Sequence, residues 1–119
     1  YIITKATKRF FVICQLARTG IDSTAIVTVY CSIVRPILEY ASPVWHCGLT
    51  QGQSDDLENV QKRCLKMIFP DLSYADALGI AGIEKLSERR ERAVISLFKE
   101  IKHPSHILNN LCWWCCKVR

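Results

Sequence analysis

A proline sits inside the most apolar stretch of this chain and sets the first condition the fold must meet. The stretch is Y-C-S-I-V-R-P-I-L-E-Y-A-S-P-V-W-H-C-G-L, Tyr30 to Leu49. It opens with helical character, but Pro36 removes a backbone donor and crowds the preceding turn. A kink or short restart is therefore expected near Arg35. Ile37, Leu38 and Tyr40 carry the helix on to Ser42-Pro43, where it stops. Val44 and Trp45 then supply an apolar anchor for the next loop. Pro36, Leu38, Tyr40, Pro43 and Trp45 are the expected core anchors, with Leu38, Tyr40 and Trp45 packing between the second and third helices. An exposed Trp can stack on a base, but apolar neighbours favour a core role for Trp45.

The rest of the chain repeats one period, that of the helix. Ala6, Phe10, Ile13, Cys14 and Ala17 mark one face of a first helix over Thr4 to Arg18, ended by Thr19-Gly20. Asp22 or Ser23 caps a second helix whose inward residues are Ile26, Val29, Tyr30, Ile33 and Val34. After a loop at Cys47 to Gly52, Thr50 or Ser54 starts a third helix that Pro70 stops, with Leu57, Val60, Cys64, Met67 and Ile68 as its stripe. Ser73 with Asp76 opens a short fourth helix that closes at Gly79 or Gly82. Glu84 to Lys102 reads as a fifth, with Leu86, Ala93, Val94, Leu97, Phe98 and Ile101 on its core side. There is no period of two and no internal repeat. The expectation is one all-α domain of about five helices over residues 1–111, with a Cys/Trp-rich tail over 112–119.

At 119 residues the chain can bury one hydrophobic core. Sixteen basic residues against eleven acidic leave a formal charge of +5, which suits an anionic partner without specifying one. The seven cysteines are an odd number, and several fall on apolar helical positions. They read as reduced thiols of an intracellular protein rather than as a disulfide framework. No signal peptide is apparent, and the apolar run Ile26 to Val34 is too short to span a membrane. A first residue of Tyr1 instead of Met suggests a fragment.

Three features invite a chemical reading. Tyr74-Ala75-Asp76-Ala77 resembles the Tyr-x-Asp-Asp of polymerase metal sites, but its last position is alanine and it lies at a helix start. His103, His106, Cys112 and Cys115 have the composition of a zinc site at a spacing that is weak by itself. The basic residues Lys5, Lys8, Arg9, Arg35, Lys62, Arg63 and Lys66 could contact a phosphate backbone without reading sequence. Lys62, Arg63 and Lys66 carry less acidic neutralisation within their own turn and are the first candidates. Arg89, Arg90 and Arg92 sit beside Glu88 and Glu91 and read as a solvated, locally paired face. No cofactor motif appears: neither a non-haem iron triad nor a Gly-rich nucleotide loop is present.

R-P-I-L-E-Y-A-S-P-V-W, Arg35 to Trp45, resembles the R-P-x-L-E-Y-x-x-P-V-W signature that follows the palm in reverse transcriptases of non-LTR retrotransposons, the LINE-like elements of the jockey and CR1 kind. The resemblance continues in order through Gln53 to Phe69, Pro70 to Leu78 and Leu86 to Arg92. Such a run of blocks is more specific than a lone motif. It implies a thumb and the connection after it: a non-catalytic part of an RNA-directed DNA polymerase that grips a primer–template duplex and supports an upstream palm. Sequences resembling this one sometimes carry the name of an N-terminal domain from an AlkB-like tRNA-modifying protein, a chemistry for which these residues supply no site. The alternatives are a stand-alone helical protein-interaction module and, behind it, a small zinc-dependent domain.

Overall fold

The computed structural model describes residues 1–110. Its elements are α1 (Ile2–Arg18), α2 (Ser23–Val29), a π-helical turn (Tyr30–Val34), α3 (Arg35–Glu39), α4 (Ser42–Trp45), a 3-10 turn (His46–Gly48), α5 (Gln51–Ile68), α6 (Tyr74–Ala81) and α7 (Leu86–Lys102). No strand occurs among the described residues. The five expected helices are all present, the second as the continuous run α2, π-turn and α3. The tail at 112–119 lies outside the described residues.

Pro36 does not end the helical run: the α-helix gives way to a π-turn and restarts at Arg35, where a kink or short restart was expected. An α-turn would aim the Ser32 carbonyl at the proline ring and leave it without a donor. The chain widens by one residue instead: the Arg35 amide donates to the carbonyl of Tyr30, an i to i+5 bond that moves the earlier carbonyls off the ring. Pro36 itself is exposed, so its value is conformational and not that of a core anchor. Helix ends only at Tyr40, where the backbone opens to ψ 123°, followed by Ala41 at φ 52°. Tyr40, two residues after Leu38, falls on the opposite side of the helix from Val34 and Leu38. Leu38 is buried as expected, whereas Tyr40 is 78% exposed and Val44 84%. Pro43 and Trp45 are half-buried. Trp45 still fastens the turn, because its Nε1–H donates to the Tyr40 carbonyl at 2.8 Å.

Ala41 is the one residue other than glycine with a positive φ among those described. A left-handed alanine costs about 1–2 kcal/mol, while glycine there loses about 0.5–1 kcal/mol more chain entropy on folding. Ala41→Gly is therefore expected to stabilise the fold by about 0.5 kcal/mol, read as a small upward shift in denaturant midpoint at constant m. A loss of stability would mean that the turn is not held at Ala41.

The remaining helix ends follow local chemistry. Thr50 caps α5 in a reciprocal capping box with Gln53. Ser73 accepts from the Asp76 amide, and left-handed Gly82 closes α6 while Ile83 N–H reaches the Leu78 carbonyl at 3.0 Å. The segment expected as a loop before α5 is partly helical, since α4 and the 3-10 turn carry the chain to Gly48.

α1 lies along α5, with the α2–π–α3 run against α1 and α6 against α5, while α7 packs on α4 and α5. The core between them is Ala6, Ile13, Ile26, Tyr30, Val34, Leu38, Leu57, Val60, Cys64, Leu65 and Ile68, closed by Ala77, Ile83 and Leu86. Each fully buried Leu or Ile contributes about 1.5–3 kcal/mol. Met67 and Phe98, placed by periodicity on core stripes, are 37% and 47% exposed. Beyond Arg90 no residue of α7 is fully buried, so its second half runs past the core. Ser23–Gly48 taken as one run has 26 residues, and its most apolar 18-residue window has a mean hydropathy of 1.2, enough by length and composition to cross a membrane. The run is longer than the apolar stretch Ile26 to Val34 because the π-turn carries helix through Pro36 and α4 with the 3-10 turn follows the break at Tyr40 and Ala41. Ile26, Tyr30, Val34 and Leu38 of that run are buried in the core.

Candidate functional site

α5 divides its surface sharply. Leu57, Val60, Gln61, Cys64, Leu65 and Ile68 face inward, whereas Lys62, Arg63 and Lys66 are exposed. At about 100° per residue the three cations occupy an arc of roughly 100° on the outer side. Each is held at its stem or head without a carboxylate. Lys62 Nζ stands 5.3 Å from the centre of the Tyr74 ring, and the Arg63 guanidinium 5.0 Å from that of Phe10. Lys66 Nζ donates to the Pro70 carbonyl at 2.8 Å. The ion pairs found among the described residues lie elsewhere, at Arg89–Glu39 (2.5 Å) and Arg92–Glu84 (2.7 Å). Glu39 holds the Arg89 pKa above its usual value, chiefly through their hydrogen bond. Arg92 likewise draws the Glu84 carboxyl below its usual value.

The other basic candidates lie on other elements, α1 and α3. Lys5 lines a shallow groove with Tyr1, Ile2, Pro36, Ile37 and Tyr40, on the α3 side of α1. Lys8 and Arg9 are exposed on α1. Arg35 lies on α3, half-buried, and adds a minor pull on the Glu84 carboxyl, which pairs with Arg92. Of the zinc candidates, Cys112 and Cys115 lie outside the described residues. His103 Nδ1 meets Ser105 Oγ at 2.6 Å, and His106 Nδ1 accepts from the Leu108 amide at 3.1 Å. Among the described residues no three His, Cys, Asp or Glu side chains form a metal-holding group. The described cysteines Cys14, Cys31, Cys47 and Cys64 are free thiols.

Beside the ridge lies a feature that periodicity alone did not single out. Gln61, fully buried, joins three elements: Tyr30 O–H donates to its Oε1 at 2.6 Å, and its Nε2 donates to Tyr74 Oη at 3.0 Å and to the Glu84 carbonyl at 3.1 Å. Tyr74 O–H in turn donates to Glu58, whose carboxylate accepts the Leu86 amide at 3.1 Å. Glu58 thereby caps α7 from a neighbouring helix. Burial raises the phenol pKa of both Tyr30 and Tyr74 far above the ordinary value, and Glu58 adds to the effect at Tyr74.

This network borders an open cleft of about 470 Å³, lined in part by His46, Thr50, Ser54, Lys62, Lys85 and Arg90. Arg90 is 1% exposed and donates from Nη2 to Ser54 Oγ at 2.6 Å. Among the described residues its Nε and Nη1 have no hydrogen-bond partner, nor does the buried His46 Nδ1. Desolvation lowers the Arg90 pKa, opposed by Glu58, Glu39 and Glu91. The sequence did carry a signal for both residues. Gln61 falls on the phase of Leu57, Cys64 and Leu65, and Arg90 on that of Leu86, Ala93 and Val94. No family model matches this chain, no curated protein matches it, and no solved structure matches it.

Proposed function

We propose that this chain is a non-catalytic helical module that holds the backbone of a nucleic-acid duplex, as the thumb of a non-LTR retrotransposon reverse transcriptase does, with a palm as its partner domain. The carrying observation is the outer face of α5, where Lys62, Arg63 and Lys66 are exposed and form no ion pair among the described residues. Cations resting on the Tyr74 and Phe10 rings are partly ordered before binding, which reduces the entropy lost when they meet phosphate. Lysine keeps further donors after one hydrogen bond, so Lys66 remains competent. The chemistry of nucleotide addition would belong to the palm.

The test is salt dependence. Three phosphate contacts predict a slope of roughly −3 in log Kobs against log salt, and the combined change Lys62→Ala, Arg63→Ala, Lys66→Ala should flatten it by about that amount for every sequence tried. Duplex binding that ignores both salt and these substitutions would remove the reading. A second reading, a protein-interaction module, draws on Ile95 and Phe98, which are 55% and 47% exposed on the projecting half of α7. It predicts indifference to duplex.

A further inference from the structure

We propose that the cleft at Arg90 binds a single phosphate group. The source of that phosphate, a nucleic-acid backbone, rests on the function proposed above; the site rests on its own geometry. A guanidinium has two edges that can each offer two N–H groups to an oxyanion. Nη2 belongs to both edges, shared with Nε on one and Nη1 on the other. Because Ser54 takes one Nη2 hydrogen and Nε and Nη1 are unpartnered, one complete two-donor edge is left over. A buried cation with two of its nitrogens unpartnered is costly enough to require a ligand or a role.

Further donors converge from other directions. The N-termini of α5 and α7 both reach this cleft, through Thr50, Gln51 and Ser54 on one side and Lys85 and Ser87 on the other. Glu58 answers the α7 terminus by accepting the Leu86 amide. At α5 the capping box engages Gln53, so the Gln51 and Gly52 amides remain without an intrahelical acceptor. Lys62 lines the same space and connects it to the ridge.

Asp55, Glu58 and Glu91 also line the cleft and balance Lys62, Lys85 and Arg90. Glu58 is engaged by Tyr74 and Leu86, and Asp55 accepts from Gln51 Nε2 at 2.9 Å. Neither accepts from Arg90. Donors arriving from an arginine edge, a helix terminus and a lysine suit a tetrahedral oxyanion better than the two coplanar oxygens of a carboxylate.

The experiment follows the Arg90 Nε–H resonance in the full chain, titrated first with inorganic phosphate and then with duplex DNA. Phosphate should move that resonance, and Arg90→Lys, which keeps the charge but loses the fork, should weaken phosphate binding by about tenfold or more. Should Arg90→Lys fail to fold, Glu91→Gln carries the same test: losing an exposed cleft carboxylate should tighten phosphate binding about threefold, and no change would count against the site. Arg63→Ala with Lys66→Ala should weaken duplex while leaving phosphate binding alone. If duplex binds but neither ligand moves Arg90, the inference falls and the proposed function stands. If phosphate moves Arg90 and duplex does not bind, the site stands with a free phosphate compound as its ligand, and the nucleic-acid reading falls.

Discussion

Gln61→Leu should lower the unfolding free energy by about 2–4 kcal/mol, even though leucine matches the apolar phase of α5. The substitution strands the fully buried Tyr30 hydroxyl, whose acceptor is Gln61 Oε1, and takes a donor from the Glu84 carbonyl. A buried polar group left unpaired costs about 1–3 kcal/mol, more than the net worth of the bond itself. For a chain of this size the melting temperature should fall on the order of 10 °C. Tyr30→Phe should cost less, about 1–2 kcal/mol, because it strands only one acceptor lone pair. The decisive comparison is the double variant. With hydroxyl and amide both gone neither member of the Tyr30–Gln61 pair is left stranded, although the Glu84 carbonyl and Tyr74 hydroxyl still lose their Gln61 donor, and the combined loss should be at least 0.5 kcal/mol, roughly, below the sum of the singles. Strict additivity in a denaturant-melt cycle would show that the two side chains do not act as a pair.

The second large effect is alkaline unfolding. Burial pushes the Cys64 thiol up to about 12 and holds the Tyr30 and Tyr74 phenols well above their ordinary value, which keeps all three neutral in the folded chain. A group whose pKa is raised by folding contributes stability that is complete below its unfolded pKa and is lost as pH climbs toward the folded one. Loss should therefore begin near the unfolded thiol pKa, about 8.5, and steepen above about 10 when the phenols join. Each such group adds at most about 1.4 kcal/mol per pH unit within its window. Circular dichroism against pH should show cooperative loss of helix, and Cys64→Ala should move the onset upward by about one unit or more. An unchanged onset in Cys64→Ala would place the alkaline sensitivity elsewhere. The Glu84 carboxyl acts at the other end of the scale. Its depressed pKa supplies a contribution present above the usual carboxylate range and lost as pH falls through the folded value, and its solvent exposure keeps that contribution small.

Helix ends were legible in the chain wherever the deciding contact is local. Gly20 and Gly82 take the left-handed turns expected of them, and Thr50 and Ser73 cap through residues three positions on. Those interactions close within one turn, so sequence order is already spatial order. The helical period also placed most of the core correctly, because one face of each helix must meet another. It overreached at Met67 and Phe98. A periodic stripe says which residues could face a neighbour but not where the neighbour ends.

The candidate site was legible only in part. The cluster Lys62, Arg63 and Lys66 is a property of one helix and could be read from spacing alone. Where Lys5 and Arg35 stand relative to it could not, since α1 and α3 had first to be packed. The sequence by itself determined an all-helical chain, its caps and the cationic outer face of α5. Tertiary structure alone decided how Pro36 is accommodated and what Gln61 and Arg90 do. Gln61 finds its partners 31, 13 and 23 residues away in sequence, and Arg90 finds Ser54 36 residues away. A polar side chain on an apolar phase is a conflict in sequence and becomes a bond only when distant donors and acceptors are brought to it. At Gln61 the fold supplies every partner; at Arg90 it leaves one edge open.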